Sequence, residues 1–271
     1  MNRLRRLLPA AGLLLCQTAI AQVHVREPTL KITKGVVAVE ARNTHAVVTP
    51  PPPPVTFTPF GGTMCPRFTG TIDSAYLNPP SSTSASINSD ISSLDANDCV
   101  TFAIVVENTG GSAAYDVKLR EIFPLGPTDI PDCFSPDFKT LCITDGTGAF
   151  MPFSPNPAVV GFGTTLITLQ DPLPGLTSTT APGKNIAVIT FGACIVGNIK
   201  PHCCDNTARV EHYSSTQGGP NFVRPAGFGP TADTARVCVL PKATKSIKPP
   251  RKRTRPARLP APRLTGEQLA G

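Results

Sequence analysis

Cysteine is the residue type of this chain with the greatest capacity for covalent chemistry. One of the nine cysteines, Cys16, lies in an apolar N-terminal segment. Eight others follow it: Cys65, Cys99, Cys133, Cys142, Cys194, Cys203, Cys204 and Cys238. An even set of cysteines is typical of a disulfide framework in an oxidising compartment. We therefore expect four disulfides, in a pairing that the sequence alone does not select.

The spacing of two cysteines indicates a local pair. Cys133 and Cys142 flank Ser135-Pro136-Asp137, a combination that is typical of a turn. We expect these two cysteines to bond across that turn. Cys99 and Cys238 instead lie in segments that are predicted to be strands.

The second half of the chain offers either a disulfide or a metal site. Cys203 and Cys204 are adjacent, so they must bond to different partners, and Cys194 is near enough to reach one of them across a turn at residues 197–198. The alternative is a zinc site that uses these three cysteines and His202. The paired Cys-x-x-Cys spacing of common zinc sites is absent, which favours disulfides and no metal.

Catalytic chemistry has little support in the sequence. No Gly-x-Ser-x-Gly, His-Glu-x-x-His, P-loop or dinucleotide-binding motif occurs. A hydrolase would need a histidine beside a nucleophile and a carboxylate. The candidate bases are His24, His45, His202 and His212. We expect no catalytic residues and no cofactor, and an exported hydrolase is a distant alternative.

An acidic turn offers oxygen ligands just before the clearest predicted strand. Asp90, Asp95 and Asp98 lie close together in the sequence, with Asn97 among them. Carboxylate and amide oxygens are the ligands that Ca²⁺ prefers. The complete twelve-residue calcium loop is absent, and Asp and Asn also occur in turns for local reasons. Calcium is therefore the minor alternative here.

The elements that carry these residues are predicted to be strands. The 31 prolines and 22 glycines exclude a mostly helical protein. Apolar and polar residues alternate with period two, or apolar residues run continuously, in several short segments bounded by Gly, Pro and Asn. The predicted strands are 30–39, 99–106, 115–120, 165–169, 185–191, 206–212 and 235–240. This pattern predicts an all-β chain, an antiparallel β-sandwich with a closed barrel as the alternative.

Finer expectations concern the middle of the sequence. Residues 99–106 read as a half-buried strand, and they form a hairpin or one sheet with residues 115–120. Asn108-Thr-Gly-Gly111 between them is expected to reverse the chain through glycines of positive φ. Residues 79–93 are predicted to be a loop, and the five prolines of residues 50–54 a stiff extended connector.

Positive charge is concentrated at the two ends of the chain. Three arginines precede the apolar segment that ends in Ala19-Ile-Ala21, a pattern typical of a secretory signal peptide. Nine basic residues lie near the other end: Lys242, Lys245, Lys248, Arg251, Lys252, Arg253, Arg255, Arg258 and Arg263. The region between is slightly acidic, which argues against nucleic-acid binding. The basic tail instead favours envelope or cell-surface components, including anionic polymers and lipid headgroups.

These features divide the sequence into four parts. Residues 1–21 are predicted to be a signal peptide, and residues 22–57 to hold the first strand or strands and the Pro-rich connector. Residues 58–240 form the expected sandwich domain, and residues 241–271 a basic, Pro-rich, disordered tail. No segment is long and apolar enough to be predicted as a transmembrane helix.

Two regions resemble a bacterial conserved-repeat domain, the domain of unknown function eleven. Residues 94–124 run from a short acidic turn through an alternating strand to Asn108-Thr-Gly110, and then through a second strand to Pro124. Asn206-Thr-Ala-Arg-Val210 is similar to the last strand of that family. The best match spans residues 94–213. This chain has a single copy, an insertion before Asp98 and more cysteines than the usual repeat.

The resemblance implies an immunoglobulin-like sandwich with a structural, adhesive or spacing role. We therefore expect a secreted, disulfide-stabilised protein of the cell envelope, periplasm or cell surface. A soluble extracellular ligand-binding module is the alternative. Surface sandwiches sometimes carry an isopeptide cross-link between lysine and asparagine. The candidates for such a link are Lys34 on the first strand and Asn206 on the strand that resembles the last one of the family.

Overall fold

The chain folds into two β-sheets packed face to face. The computed structural model describes residues 27–40, 45–57, 68–81, 83–122, 133–154, 165–197, 199–223 and 231–240. The predicted signal peptide and the basic tail lie outside the described residues. Within them the immunoglobulin-like antiparallel sandwich expected from the sequence is confirmed, as two separate sheets rather than a closed barrel.

Thirteen strands occur in the described part of the chain. They are β1 (Leu30–Glu40), β2 (Val47–Thr49), β3 (Thr56–Phe57), β4 (Phe68–Thr69), β5 (Asp90–Leu94), β6 (Cys99–Asn108), β7 (Tyr115–Ile122), β8 (Phe134–Asp145), β9 (Phe153–Ser154), β10 (Thr165–Leu169), β11 (Ile186–Ile195), β12 (Cys203–Ser214) and β13 (Ala232–Val239). A single 3₁₀ turn, Ser74–Tyr76, is the helical element of these residues.

The two sheets differ in size. The smaller sheet has the order β1-β6-β11-β8, and the larger has the order β2-β5-β13-β12-β7-β10-β9. Strands β3 and β4 form a separate pair. Neighbouring strands of the two sheets are antiparallel, except that β13 and β5 run parallel.

The main core lies between the two sheets and follows the alternation of the sequence. The inward row of β6 consists of Val100, Phe102, Ile104 and Val106. The opposite face of β6 is also buried, because Phe57, Phe68, Ile72, Leu77 and Ile87 cover Ala103 and Val105 in a second cluster. The expectation of a half-buried β6 was therefore wrong, since the region before Asp90 supplies a third apolar layer.

Strands β6 and β7 do not form the predicted hairpin. β6 lies in the smaller sheet and β7 in the larger one, so the connection between them crosses from sheet to sheet. Gly110 does not have positive φ. A Cβ there would lie 2.2 Å from the Glu27 carbonyl oxygen and 2.5 Å from the Thr29 nitrogen, so glycine is needed for close backbone packing. The inward rows of both strands are apolar, which a face-to-face arrangement satisfies equally well.

The segment predicted as a loop at residues 79–93 contains the start of β5. Ile91 and Leu94 are buried in the main core, and β5 pairs with β2 and β13. Strand β1 is likewise an integral part of the smaller sheet, where it pairs with β6 from Leu30 to Glu40. The N-terminal strands thus build the same sandwich as the rest of the described chain.

Candidate functional site

Three polar side chains occupy core positions at the interface between the sheets. Lys34 on β1 is 0% exposed, Glu121 on β7 is 1% exposed and Asn206 on β12 is 0% exposed. Each lies in a row of inward apolar residues, because side chains on a strand alternate between its two faces. We call these three residues the buried polar cluster.

Strand register explains why the cluster forms. Glu121 lies directly opposite Ala208 in the β7–β12 ladder, so Asn206, two residues from Ala208 on the same face, is its diagonal neighbour. Lys34 reaches them from the opposing sheet, and its Nζ contacts Oε1 of Glu121. The Lys34 backbone N–H donates to Oδ2 of Asp233 on β13 at 2.7 Å, which ties β1 to the larger sheet.

Burial changes the protonation chemistry of the cluster. Desolvation lowers the pKa of Lys34 to about 8, although Glu121 acts in the opposite direction. Desolvation also raises the pKa of Glu121, against the influence of Lys34 and of the Asn206 side chain. Both shifts favour a neutral amine beside a neutral carboxylic acid. The Asn206 carboxamide completes a set of amine, acid and amide groups.

Two aromatic rings lie beside the cluster. Nζ of Lys34 lies 5.3 Å from the ring centroid of Phe102 and 5.6 Å from that of Phe191. The Asn206 side chain is close enough to Glu121 to influence its pKa, yet neither its nitrogen nor its oxygen makes a hydrogen bond within normal distance and angle limits to a described residue. A buried amide without such partners is unusual, since most buried polar groups are paired.

The sequence pointed to part of this cluster. Lys34 and Asn206, the expected candidates for a cross-link, lie on the two sheets and meet around Glu121. Glu121 itself was not foreseen. The alternation of β7 could have identified it, because Val117 and Leu119 point inward and Glu121 is the next residue on the same face.

Three disulfides join described residues. Cys99 and Cys194 lie directly opposite each other on β6 and β11, with Cα atoms 3.9 Å apart. Cys203 and Cys238 occupy the equivalent arrangement on β12 and β13 of the larger sheet, with Cα atoms 4.0 Å apart. The prediction that Cys99 and Cys238 lie on strands is confirmed.

The third disulfide connects the two sheets. Cys133 directly precedes β8 of the smaller sheet, and it bonds to Cys204 on β12 of the larger sheet. Cys203 and Cys204 thus have different partners, as expected. Cys142 is also disulfide-bonded, whereas Cys65 lies outside the described residues.

Two expected pairings were wrong. Cys133 and Cys142 do not bond to each other, because Cys133 bonds to Cys204 on the other sheet. The β8–β11 register also separates them: Phe134 lies opposite Ile195 and Cys142 opposite Thr190, which are about 17 Å apart at ~3.3 Å per residue. Cys194 does not reach Cys203 or Cys204, because the antiparallel register of β11 places it against Cys99.

The residues proposed for a zinc site are mostly engaged elsewhere. Cys194 and Cys203 belong to disulfides within the sheets. His202 lies beside the disulfide between the sheets, with Nε2 at 3.1 Å from Sγ of Cys204 and 3.4 Å from Sγ of Cys133. While the disulfide is intact, its sulfurs are not thiolate ligands. This histidine therefore packs against a covalent bridge.

The carboxylates proposed for calcium make local hydrogen bonds. Oδ2 of Asp98 accepts from the backbone N–H of Asp95 at 2.8 Å, and Oδ1 of Asp90 accepts from the backbone N–H of Arg236 at the same distance. The described residues of this turn do not converge on a group of three potential metal ligands. Asp98 acts as a turn residue and Asp90 as a link between β5 and β13.

A shallow groove opens beside the 3₁₀ turn. Its volume is about 310 Å³, and its walls include Asp73, Ser74, Leu176, Thr180 and Asn185. None of the described residues that line it is a histidine or a cysteine. The described residues also include no helix that is long and apolar enough to span a membrane.

Comparison with known proteins gives no family assignment. No protein-family model and no curated protein matches the chain. A collagen-binding domain from a Staphylococcus aureus adhesin is similar over 52% of this chain and 87% of its own length, at 11% identity and a TM-score of 0.29. At such a TM-score the similarity carries no functional argument.

Two enzymes show equally remote similarity. A family 123 glycoside hydrolase from Clostridium perfringens is matched over 56% of this chain and 22% of its own length, at 12% identity and a TM-score of 0.26. AvmM, which catalyses macrocyclization in alchivemycin A biosynthesis, is matched over 58% of this chain and 87% of its own length, at 13% identity and a TM-score of 0.28.

Proposed function

We propose that this chain is a secreted, disulfide-stabilised structural or adhesion-type protein of the bacterial envelope or cell surface. In this proposal it carries one copy of the conserved-repeat domain and has no enzymatic activity. The disulfide pattern is the observation that carries the proposal. One bridge reinforces each sheet and one joins the sheets, which suits a domain that works in an oxidising compartment.

The basic residues 242–263 supply the contact with the envelope in this proposal. Near an anionic membrane each basic residue contributes about 1 kcal/mol of attraction. Salt screens such interactions, so the attachment weakens as ionic strength rises. The sandwich is then the rigid part of the protein and the basic tail its electrostatic anchor.

Extraction of isolated envelopes with increasing salt tests the anchor. We expect the full-length protein to be released at high salt, and a variant without residues 241–271 to be soluble at low salt. The matched control replaces the nine lysines and arginines of the tail by glutamine, which keeps its length and removes its charge. Equal distribution of all three proteins would remove the anchor and favour a soluble ligand-binding module.

Thiol trapping in intact cells of the source bacterium tests the compartment. An impermeant maleimide is added before and after reduction, and the labelled protein is analysed by mass spectrometry. We expect the eight cysteines after Cys16 to react only after reduction. Free thiols at Cys99, Cys194, Cys203 or Cys238 in untreated cells would contradict an exported protein with this disulfide pattern.

A further inference from the structure

The buried polar cluster is difficult to explain as a stabilising feature. Lys34, Glu121 and Asn206 each interrupt a row of apolar core residues, and the desolvation of such groups opposes folding. A buried ion pair is weak evidence for stability, since apolar residues of similar size often serve as well or better. The cluster therefore calls for a chemical role.

The protonation states suit an acyl-transfer reaction. Burial lowers the pKa of Lys34 to about 8, so a neutral, nucleophilic amine is accessible near neutral pH. Burial raises the pKa of Glu121, which favours the acid form that can donate a proton. The apolar walls formed by Phe102 and Phe191 limit competing hydrolysis by water.

Asn206 differs from the other buried asparagines near the sheet interface. Nδ2 of Asn108 donates to the carbonyl oxygens of Ser112 and Leu173, at 2.8 and 3.1 Å. Nδ2 of Asn185 donates to the carbonyl oxygen of Asn108 at 3.2 Å. The Asn206 side chain instead interacts with Glu121 inside the cluster, and neither its nitrogen nor its oxygen makes a hydrogen bond of normal geometry with a described backbone group.

We infer that Lys34 and Asn206 form an intramolecular isopeptide bond, with Glu121 as the catalytic acid and base. Nζ of Lys34 attacks Cγ of Asn206, and a new C–N bond forms. The bond between Cγ and Nδ2 of Asn206 breaks. Glu121 transfers a proton from Nζ to Nδ2, so one ammonia molecule leaves and Glu121 returns to its starting state. No oxidant or cofactor is needed.

The link would join strands of different sheets independently of the disulfides. It goes beyond the proposed function, because it does not depend on the compartment of the protein or on its partners. β1 belongs to the smaller sheet and β12 to the larger one, so the bond joins one edge strand of the smaller sheet to β12. The disulfide between the sheets starts beside β8, the other edge strand, and reaches Cys204, two residues from Asn206 on β12. Unlike a disulfide, the amide bond between Lys34 and Asn206 is not broken by reducing agents.

Peptide mapping of the full-length protein, after reduction and alkylation, tests the inference. Trypsin does not cleave after an acylated lysine, so the expected product is residues 32–42 joined to residues 185–209. Its mass should be one ammonia molecule below the summed masses of the two peptides. Folded wild-type protein that yields Lys34 and Asn206 only in unlinked peptides would overturn the inference.

Two controls separate this chemistry from proximity and from misfolding. Glu121→Gln should abolish the branched peptide, whereas Glu107→Gln, at a buried carboxylate on the other face of the smaller sheet, should leave it intact. Lys31 contacts Asn78 at the surface and should stay unlinked in the same digest. A branched peptide at unchanged yield in Glu121→Gln would remove the catalytic role of Glu121.

Gel mobility provides a second measurement that does not require the variants to fold. Under reducing and denaturing conditions, the linked wild-type chain contains a covalent loop and should migrate faster than Asn206→Ala. Equal mobility of the two reduced chains would contradict the link. The circular dichroism of Glu121→Gln shows whether loss of the branched peptide occurs in a folded sandwich.

Discussion

Removal of the disulfide between the sheets should destabilise the sandwich more than removal of a disulfide at its surface. Cys133 and Cys204 are separated by 71 residues, and restraint of a loop of that size in the unfolded chain contributes about 4 kcal/mol. Both side chains are also buried, at 0% and 4% exposure. Their truncation to alanine costs roughly 1 kcal/mol each in lost packing. We expect Cys133→Ala/Cys204→Ala to lose about 6 kcal/mol in total.

The surface disulfide supplies the matched comparison. Cys203 and Cys238 are separated by 35 residues, which also corresponds to about 4 kcal/mol, but Cys203 is exposed and leaves no cavity. Urea unfolding followed by circular dichroism measures both double-alanine variants against the wild type. If the inter-sheet variant loses less than about 2 kcal/mol, or no more than the surface variant, the bridge does not hold the sheets together as argued.

Two further perturbations test the packing and electrostatics of the described structure. Despite partial burial, hydrogen bonds from Lys184, Thr147 and the Ala149 backbone hold the pKa of Asp145 below its usual value. The Asp145 carboxylate should stabilise the fold at pH values above its unfolded pKa, and this contribution should disappear as pH falls through its lower folded pKa. Urea unfolding across this pH range should show a loss of about 1 to 2 kcal/mol in the free energy of unfolding. The same loss should be absent in Asp145→Asn. Gly35→Ala should lower the free energy of unfolding by about 3 kcal/mol, because the new Cβ would lie 1.7 Å from the Ile87 carbonyl oxygen. Thermal or urea unfolding measures this loss. A variant as stable as the wild type would show that β1 can move away from Ile87.

The alternation of residues along the strands predicted most of the fold. The inward apolar rows of β6, β7 and β12 lie at the positions expected from a period of two. β11, predicted from a continuous apolar run, is buried on both faces. The assignment of strands to sheets was less predictable. The same apolar rows are buried whether β6 and β7 pair edge to edge or pack face to face. The two arrangements differ in long-range strand pairing, in which β6 lies between β1 and β11 and β7 lies between β12 and β10.

Disulfide pairing failed to follow from spacing for a similar reason. A short spacing between Cys133 and Cys142 favours a local bond only if the chain reverses between them. Ser135-Pro136-Asp137 looks like a turn, yet these residues pair with residues 192–194 of β11 in the first part of β8, before the register shifts between Asp137 and Cys142. Tertiary pairing therefore overrides local turn preference, and the partner of Cys133 lies on the other sheet.

The buried polar cluster was partly visible in the sequence. Lys34 stands between Ile32 and Val36 in an otherwise apolar row, and Glu121 continues the row of Leu119. Such an interruption marks a polar residue that the fold must bury. The sequence could not show that interruptions from three strands converge, because their meeting depends on the register of β7 with β12 and on the packing of β1 across the core.

The two disulfides within the sheets determine how the domain would respond to tension along the chain. An applied force is transmitted through the Cys99–Cys194 and Cys203–Cys238 disulfide bonds. The 95-residue and 35-residue segments that these bonds enclose therefore carry none of the force. Without the inferred link between Lys34 and Asn206, the part of the described sandwich before Cys99 and the connection from Cys194 to Cys203 can still be extended. With that link, force passes from β1 directly to β12, and only the residues before Lys34 remain extensible among those that precede Cys238.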